Sequence, residues 1–378
     1  MIYDSIVLGT GGIGSAAVYH LARRQARVLG LDRYPAAHDR GSSHGQTRII
    51  RLAYFEHPDY VPLLRRAFEL WHDLEQHAQE TLYHPVGLLQ AGPATGDVVP
   101  GVLKSAELHN LDIEQLTAQD IRQRFTGFDV PDHFVGVFEK QAGFLRVEAC
   151  VAQHLRLAQE HGADLRYGEQ IIGWHRDGQQ LIVTTDRQTY ATRRLIVTAG
   201  PWAASLLHSL PVPLTVLRKH LHWYEPVDGR YELSRGGCTF LFELPDGVYY
   251  GFPQVPGNAD GVKIAEHSGG EPIDNPQLDP RQLDVTEQRR VESFIERCLP
   301  GITLRHRRHA VCHYTMSPDG HFLVDRDPTD QNVLFVAGLS GHGFKFAAVL
   351  GEVLAQLALD GHTPQPIDFL SLRRFQDR

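Results

Sequence analysis

Gly9, Gly11 and Gly14 space three glycines as GxGxxG between an apolar run, Ile6-Val7-Leu8, and a helical pattern carrying Ala16, Ala17, Leu21 and Ala22. That spacing suits a dinucleotide pyrophosphate. Gly9 permits the tight turn, Gly11 lets the phosphate approach the backbone, and Gly14 lets the helix pack closely on the sheet. The free N–H groups and positive end of the helix then meet the negative charge. The following strand, ARVLGLD, ends on Asp32, an acceptor for ribose hydroxyls that disfavours a 2′-phosphate, so FAD or NAD fits better than NADP. A second stretch, AVCHYTMSPDGHF (310–322), sets Cys312 beside aromatic and hydroxyl residues just before a Pro-Asp-Gly turn.

The elements that must position these groups are spread over 378 residues, a length that suggests two domains and a sizeable core. Hydrophobic residues make up 42% and charged residues 22%, as in ordinary globular proteins. The net charge is −8 and no Lys/Arg cluster stands out, which argues against a nucleic-acid partner. Cys150, Cys238, Cys298 and Cys312 form no CxxC pair, so neither a zinc centre nor a dithiol redox centre is expected; scattered thiols point to a reducing compartment. The start reads straight into a strand without a signal-peptide pattern, and no long apolar run predicts a membrane span. The expectation is a cytoplasmic protein with no metal, no membrane and no nucleic acid.

The dinucleotide fold is interrupted. After Asp32 comes a polar Gly/Ser loop, then a predicted amphipathic helix carrying Tyr60, Leu63, Leu64, Phe68, Leu70 and Trp71. Residues 147–168 read as a helix leading into a strand, 191–206 as strand, Ala-Gly turn and helix, and 332–359 as strand, Gly-rich turn and helix. The segments HLHWYEP, CTFLFELPDGVYYGFPQ and GVKIAEH alternate apolar and polar residues, with turns at Pro245-Asp246-Gly247 and Pro256-Gly257-Asn258, and predict an antiparallel sheet over about 215–268. Residues 284–301 read as one helix. The fold class is α/β: a Rossmann-like FAD-binding domain (1–80, 145–210 and 310–378) interrupted by an antiparallel-sheet substrate domain (81–144 and 211–309). Insertion of this kind favours a flavoprotein over an NAD enzyme.

GSSHGQTRIIR (41–51), YYGFP (249–253), VKIAEH (262–267), CHYTMSPDGHF (312–322) and GLSGHGFKF (338–346), in this order, resemble the monomeric sarcosine oxidase and N-methyltryptophan oxidase family, with pipecolate oxidases as close relatives. The resemblance covers nearly the whole chain, and the cysteine and GHGFK motifs are its specific part. It implies FAD held covalently, through the 8α-methyl of the flavin, by the sulfur of Cys312. Such attachment needs a thiolate against the ring edge, which nearby cations favour.

The resemblance also implies roles for other residues. Arg51 and Lys345 match the family's carboxylate ligands, and a guanidinium fork suits a carboxylate. Arg48, three residues before Arg51, would share a face with it on a helical turn and is placed near the flavin. Lys263 matches the lysine implicated in oxygen activation, where a fixed ammonium would stabilise superoxide. His267 matches an active-site histidine, Tyr250 and Tyr314 match pocket tyrosines, and Leu241 sits where a pocket side chain varies. Gly341, His342 and Gly343 form the turn beside the flavin. The implied enzyme is a monomer that oxidises a secondary amino acid and reduces O2 to hydrogen peroxide. Two other readings remain: a dehydrogenase passing electrons to a quinone or carrier protein, and a flavin-binding subunit without turnover. The 22 histidines are more than expected, and beyond His267 and His342 they have no functional account.

Overall fold

The computed structural model describes residues 1–255 and 259–376. The turn expected at Pro256-Gly257-Asn258 lies outside the described residues. The apolar run at the start becomes a central strand, Ile2–Leu8, paired in parallel with Val28–Asp32 on one side and Thr189–Val197 on the other. Asp164–Tyr167 adds a further parallel strand beyond Val28–Asp32, and Val333–Ala337 pairs in parallel with Thr189–Val197. Strand alternation divides the side chains between two cores. Val7 points into the one beneath the helices, and Ile6 and Leu8 into the one on the opposite face.

Helices Gly12–Arg23, Val147–Glu160, Ala347–Leu359 and Tyr60–Ala78 pack on one another as a layer over this sheet. The stripe read from sequence is the buried one: Tyr60, Leu63, Leu64, Leu70 and Trp71 all face the core. Gly351 allows the closest helix approach, since a Cβ there would lie 2.5 Å from that of Ala16. The segment 191–206 keeps its expected order, but its helix is a single turn, Ala203–Leu206, after a tight turn at Gly200–Trp202.

The second sheet is larger than expected and mixed. Thr215–Pro226, Val262–Glu266, Gly247–Gly251 and Thr239–Leu244 follow one another antiparallel, as the alternation predicts. Thr239–Phe242 then pairs in parallel with Leu88–Ala91, which brings in Leu88–Pro93, Phe134–Glu139 and Glu114–Thr117. Local alternation cannot reveal a pairing between segments so far apart in the chain. Ile302–Met316 is one long strand laid antiparallel along Thr215–Pro226, so Cys312 belongs to this second sheet.

A small third sheet joins Thr47–Ile50, Gly143–Arg146 and Tyr83–His84. It corrects the helical turn expected for Arg48 and Arg51. Thr47, Ile49 and Ile50 are β-branched and buried, which favours a strand there. No helix among the described residues is long and apolar enough to cross a membrane.

Candidate active site

The nucleotide end is built by the first strand–turn–helix. Gly9 takes φ +88°, and a Cβ on Gly14 would sit 1.8 Å from the Gly9 carbonyl oxygen, so both glycines are sterically required. Asp32 is buried, accepting from Thr10 N at 2.7 Å and Tyr34 N at 3.0 Å, with His38 Nε2 3.6 Å away. The Gly12 N–H is capped by Ser43 Oγ at 3.0 Å. A continuous cleft runs from Gly9, Gly11 and Asp32 to Arg51 and Lys345. The indole N–H of Trp202, on its wall, is buried with no acceptor among the described residues. Glycines that no side chain can replace, an acid beyond the second strand and an orphaned donor along a long cleft fit a dinucleotide.

At the far end the cationic residues converge from different elements. Arg48, on the small sheet, donates to Ser42 O at 2.8 Å and reaches Cys312 Sγ at 3.6 Å. Cys312 is 1% exposed and lies just behind the cleft wall, in a cluster with Ile49, Leu241, Tyr250 and Tyr314. Lys263 is also behind the wall. Its ammonium donates to Gly45 O at 2.6 Å and Thr47 O at 2.9 Å and lies 4.8 Å from the Phe252 ring centroid. Burial, and then the like charge of Arg48, push Lys263 well below an ordinary lysine.

Arg51 and Lys345 line the cleft. Arg51 Nη2 holds both oxygens of Glu56, at 2.7 and 2.8 Å, while its Nε has no acceptor among the described residues. The guanidinium lies over Tyr54 and Phe55, 4.7 and 4.9 Å from the ring centroids. Lys345 donates to His342 O at 2.8 Å; burial, with Arg51 as a like charge, lowers it to about 7. Glu56 stays ionised: burial opposes the charge, but Arg51, His342 and Lys345 bring it down to about 2. His342 is fixed between Tyr54 Oη at 2.5 Å and Gly320 O at 3.0 Å. Trp71 Nε1 donates to Lys345 O at 2.9 Å, locking the helical turn that carries the lysine.

The opposite wall comes from the second sheet. Tyr250, His267, Tyr314 and Leu241 all line the cleft, and Tyr314 Oη lies 3.4 Å from His267 Nδ1. Burial lowers His267 to about 3, so its imidazole is neutral. Gly341, at φ +83°, permits the tight approach of the two walls: a Cβ there would lie 2.3 Å from the Tyr314 ring. At Gly343 a Cβ would meet Leu339 at 2.6 Å. Of the residues singled out from sequence, Gly14, Lys263 and Cys312 lie behind the wall and the others line the cleft.

Sequence reasoning missed four groups. Glu56 is the carboxylate on Arg51, and Tyr54 orients His342. Glu139 is fully buried and accepts from Leu52 N at 2.8 Å and Ala53 N at 2.9 Å, pinning the backbone just after Arg51; burial raises it to about 7. Lys219 is buried opposite Cys312 in the strand ladder, 5.5 Å from the Tyr314 ring centroid. Only Glu56 carried a local signal, an acid five residues beyond Arg51.

Fold and site together define a dinucleotide-binding protein whose second sheet closes a buried basic pocket over the far end of the cleft. The chain belongs to the FAD dependent oxidoreductase family, which it matches over residues 4–357. It is 39% identical over 377 residues to the monomeric sarcosine oxidase of Streptomyces avermitilis, covering 98% of this chain and 97% of that one. It is equally 39% identical over 378 residues to N-methyl-L-tryptophan oxidase of Yersinia pestis, covering both chains completely. Among solved structures it resembles NikD, an unusual amino acid oxidase essential for nikkomycin biosynthesis, at TM-score 0.86 and 25% identity over 98% of this chain and 97% of that one. L-proline dehydrogenase from P. horikoshii shares the fold at TM-score 0.82 and 18% identity, over 100% of this chain and 98% of that one.

Proposed function

We propose that this chain is an oxidase of secondary amino acids, N-methyl or cyclic, with FAD joined to Cys312. One observation carries the reading: Arg51 and Lys345, both buried, converge on one wall of the cleft, facing Tyr250, His267 and Tyr314. When bound, FAD supplies the hydride acceptor for the C–H next to nitrogen and returns the electrons to O2, giving hydrogen peroxide. The chain's own groups bind and orient. Arg51 and Lys345 take the substrate carboxylate, with Glu56 competing for Arg51. The substrate amine must be neutral, because an ammonium offers no lone pair to support hydride loss. His267, neutral and beside Tyr314, carries no negative charge that would hold the amine protonated.

Cys312 is supported as the attachment point by its place just behind the cleft wall, with the guanidinium of Arg48 at 3.6 Å. Lys263, whose Nζ donates to Gly45 O and Thr47 O behind the cleft wall, supports a role in oxygen activation. This favours oxygen over a quinone or carrier protein as acceptor. The site's complete set of cations argues against a subunit without turnover. A relative named as monomeric supports a monomer, and four unpaired cysteines support a cytoplasmic setting.

Equal identity to relatives named for sarcosine and for N-methyl-L-tryptophan leaves both small and bulky substrates in the class. The deciding experiment is anaerobic mixing of the yellow holoenzyme with sarcosine, N-methyl-tryptophan and pipecolate. Bleaching by at least one, with peroxide released on readmitting air, is expected. A chromophore left oxidised by all of them would overturn the reading.

A further inference from the structure

Away from the flavin cleft, a second cavity opens beside the helix Val285–Cys298, rimmed by Asp246, Glu266, Glu271, Asp284 and Glu287, with Arg290. Arg290 is committed to Glu266 at 2.8 Å. Beside the cavity's Asp284 and Glu287, at the helix start, lies His220 from the strand Thr215–Pro226. One ligand atom of each of these three residues lies within 4.8 Å of the other two. His220 Nδ1 is held by His309 Nε2 at 2.7 Å, which fixes the ring and aims Nε2 at Glu287 Oε2, 3.9 Å away.

That separation is too long for a hydrogen bond. It falls within the span of two ligands that share one ion at about 2.0–2.2 Å each. Glu287 is 2% exposed. Its Oε1 accepts from His220 N at 3.2 Å, while Oε2 faces His220 Nε2. A buried carboxylate and a buried imidazole held this far apart leave a gap that one cation can bridge.

We propose that His220, Asp284 and Glu287 bind one first-row divalent cation of the zinc type. One imidazole and two carboxylates suit such an ion, cancel its charge and leave room for water, and the outer imidazole contact with His309 is the orienting partner that metal-bound histidines keep. The ion ties the helix Val285–Cys298 to the strand Thr215–Pro226. Its role is structural, outside the oxidation chemistry and independent of it.

The test is calorimetric titration of the chelator-stripped holoenzyme with zinc chloride at about pH 7.5, together with thermal melting. Asp284→Asn is the decisive variant. Asparagine caps a helix as well as aspartate, so the fold is kept while a charged ligand is lost. The expected result is one zinc ion per chain and a raised Tm in the wild type. Asp284→Asn and Glu287→Gln should weaken binding about tenfold or more, and His306→Gln, on the neighbouring His222–His306 pair, should leave it unchanged. Zinc binding that survives Asp284→Asn overturns the assignment. So does binding lost in His306→Gln, and so does the absence of any binding.

Discussion

Replacing Lys345 with methionine separates what that ammonium does for the substrate from what it costs the fold. Burial, with Arg51 beside it, takes the group from 10.5 to about 7. That span sets a ceiling of about 5 kcal/mol on the cost of holding the charge inside. Below about pH 7 the lysine is charged in folded and unfolded chains alike, and the folded state bears the whole cost. Between about 7 and 10.5 only the unfolded chain keeps the proton, so the cost shrinks by about 1.4 kcal/mol per pH unit and then vanishes. Loss of the bond to His342 O offsets about 1 kcal/mol. Lys345→Met should therefore stabilise the holoenzyme by about 2–4 kcal/mol near pH 6, with the gain falling by about 3 kcal/mol by pH 9. Equilibrium guanidinium unfolding at pH values across that range measures it. Affinity for a substrate or carboxylate inhibitor should fall about 10–100-fold in the same variant, and in the wild type should weaken as pH rises through about 7. A gain that does not change with pH, or that grows as pH rises, would refute the electrostatic reasoning.

Cys312→Ala should leave FAD extractable by acid, and the 312-containing peptide of the wild type should carry the flavin mass; an unmodified wild-type peptide excludes the linkage. Lys263→Met should slow reoxidation of the reduced enzyme by O2 about 10²-fold or more, while anaerobic bleaching by substrate proceeds; equal reoxidation rates exclude the role. Glu56→Gln removes the internal anion from Arg51 and should tighten carboxylate inhibitors several-fold, read by flavin spectral titration; weaker binding would contradict the competition. Gly14→Ala places a methyl 1.8 Å from Gly9 O and should abolish flavin incorporation, seen as loss of the yellow absorbance.

The parts legible from sequence are those whose physics is local. The GxGxxG turn, the stripe Tyr60 to Trp71 and the Gly-rich turn before Lys345 each announce themselves within a few residues, and the structure places them as read. What escaped depends on pairing across the chain. The parallel contact of Thr239–Phe242 with Leu88–Ala91 has no local signature. Glu139 meets Leu52 and Ala53 only because the strand Phe134–Glu139 ends beside them. Lys219 reads as an ordinary strand cation until the ladder sets it opposite Cys312. For Arg48 and Arg51 the helical turn was the wrong period; Thr47, Ile49 and Ile50 favour the strand that is present.

The strand Ile302–Met316 carries Cys312 in the second sheet, while the Gly9–Gly14 turn and Asp32 belong to the first. With the attachment proposed above, a cofactor running the length of the cleft would act as a bolt through two plates, held at its nucleotide head in one and at its ring in the other. Its insertion is an assembly event for the whole molecule. Without it, the two plates lose a shared surface and are left with direct contacts such as Ser340 N to Thr315 O, so flavin-free chains should be trimmed by proteases at the joints between the sheets well before the holoenzyme is.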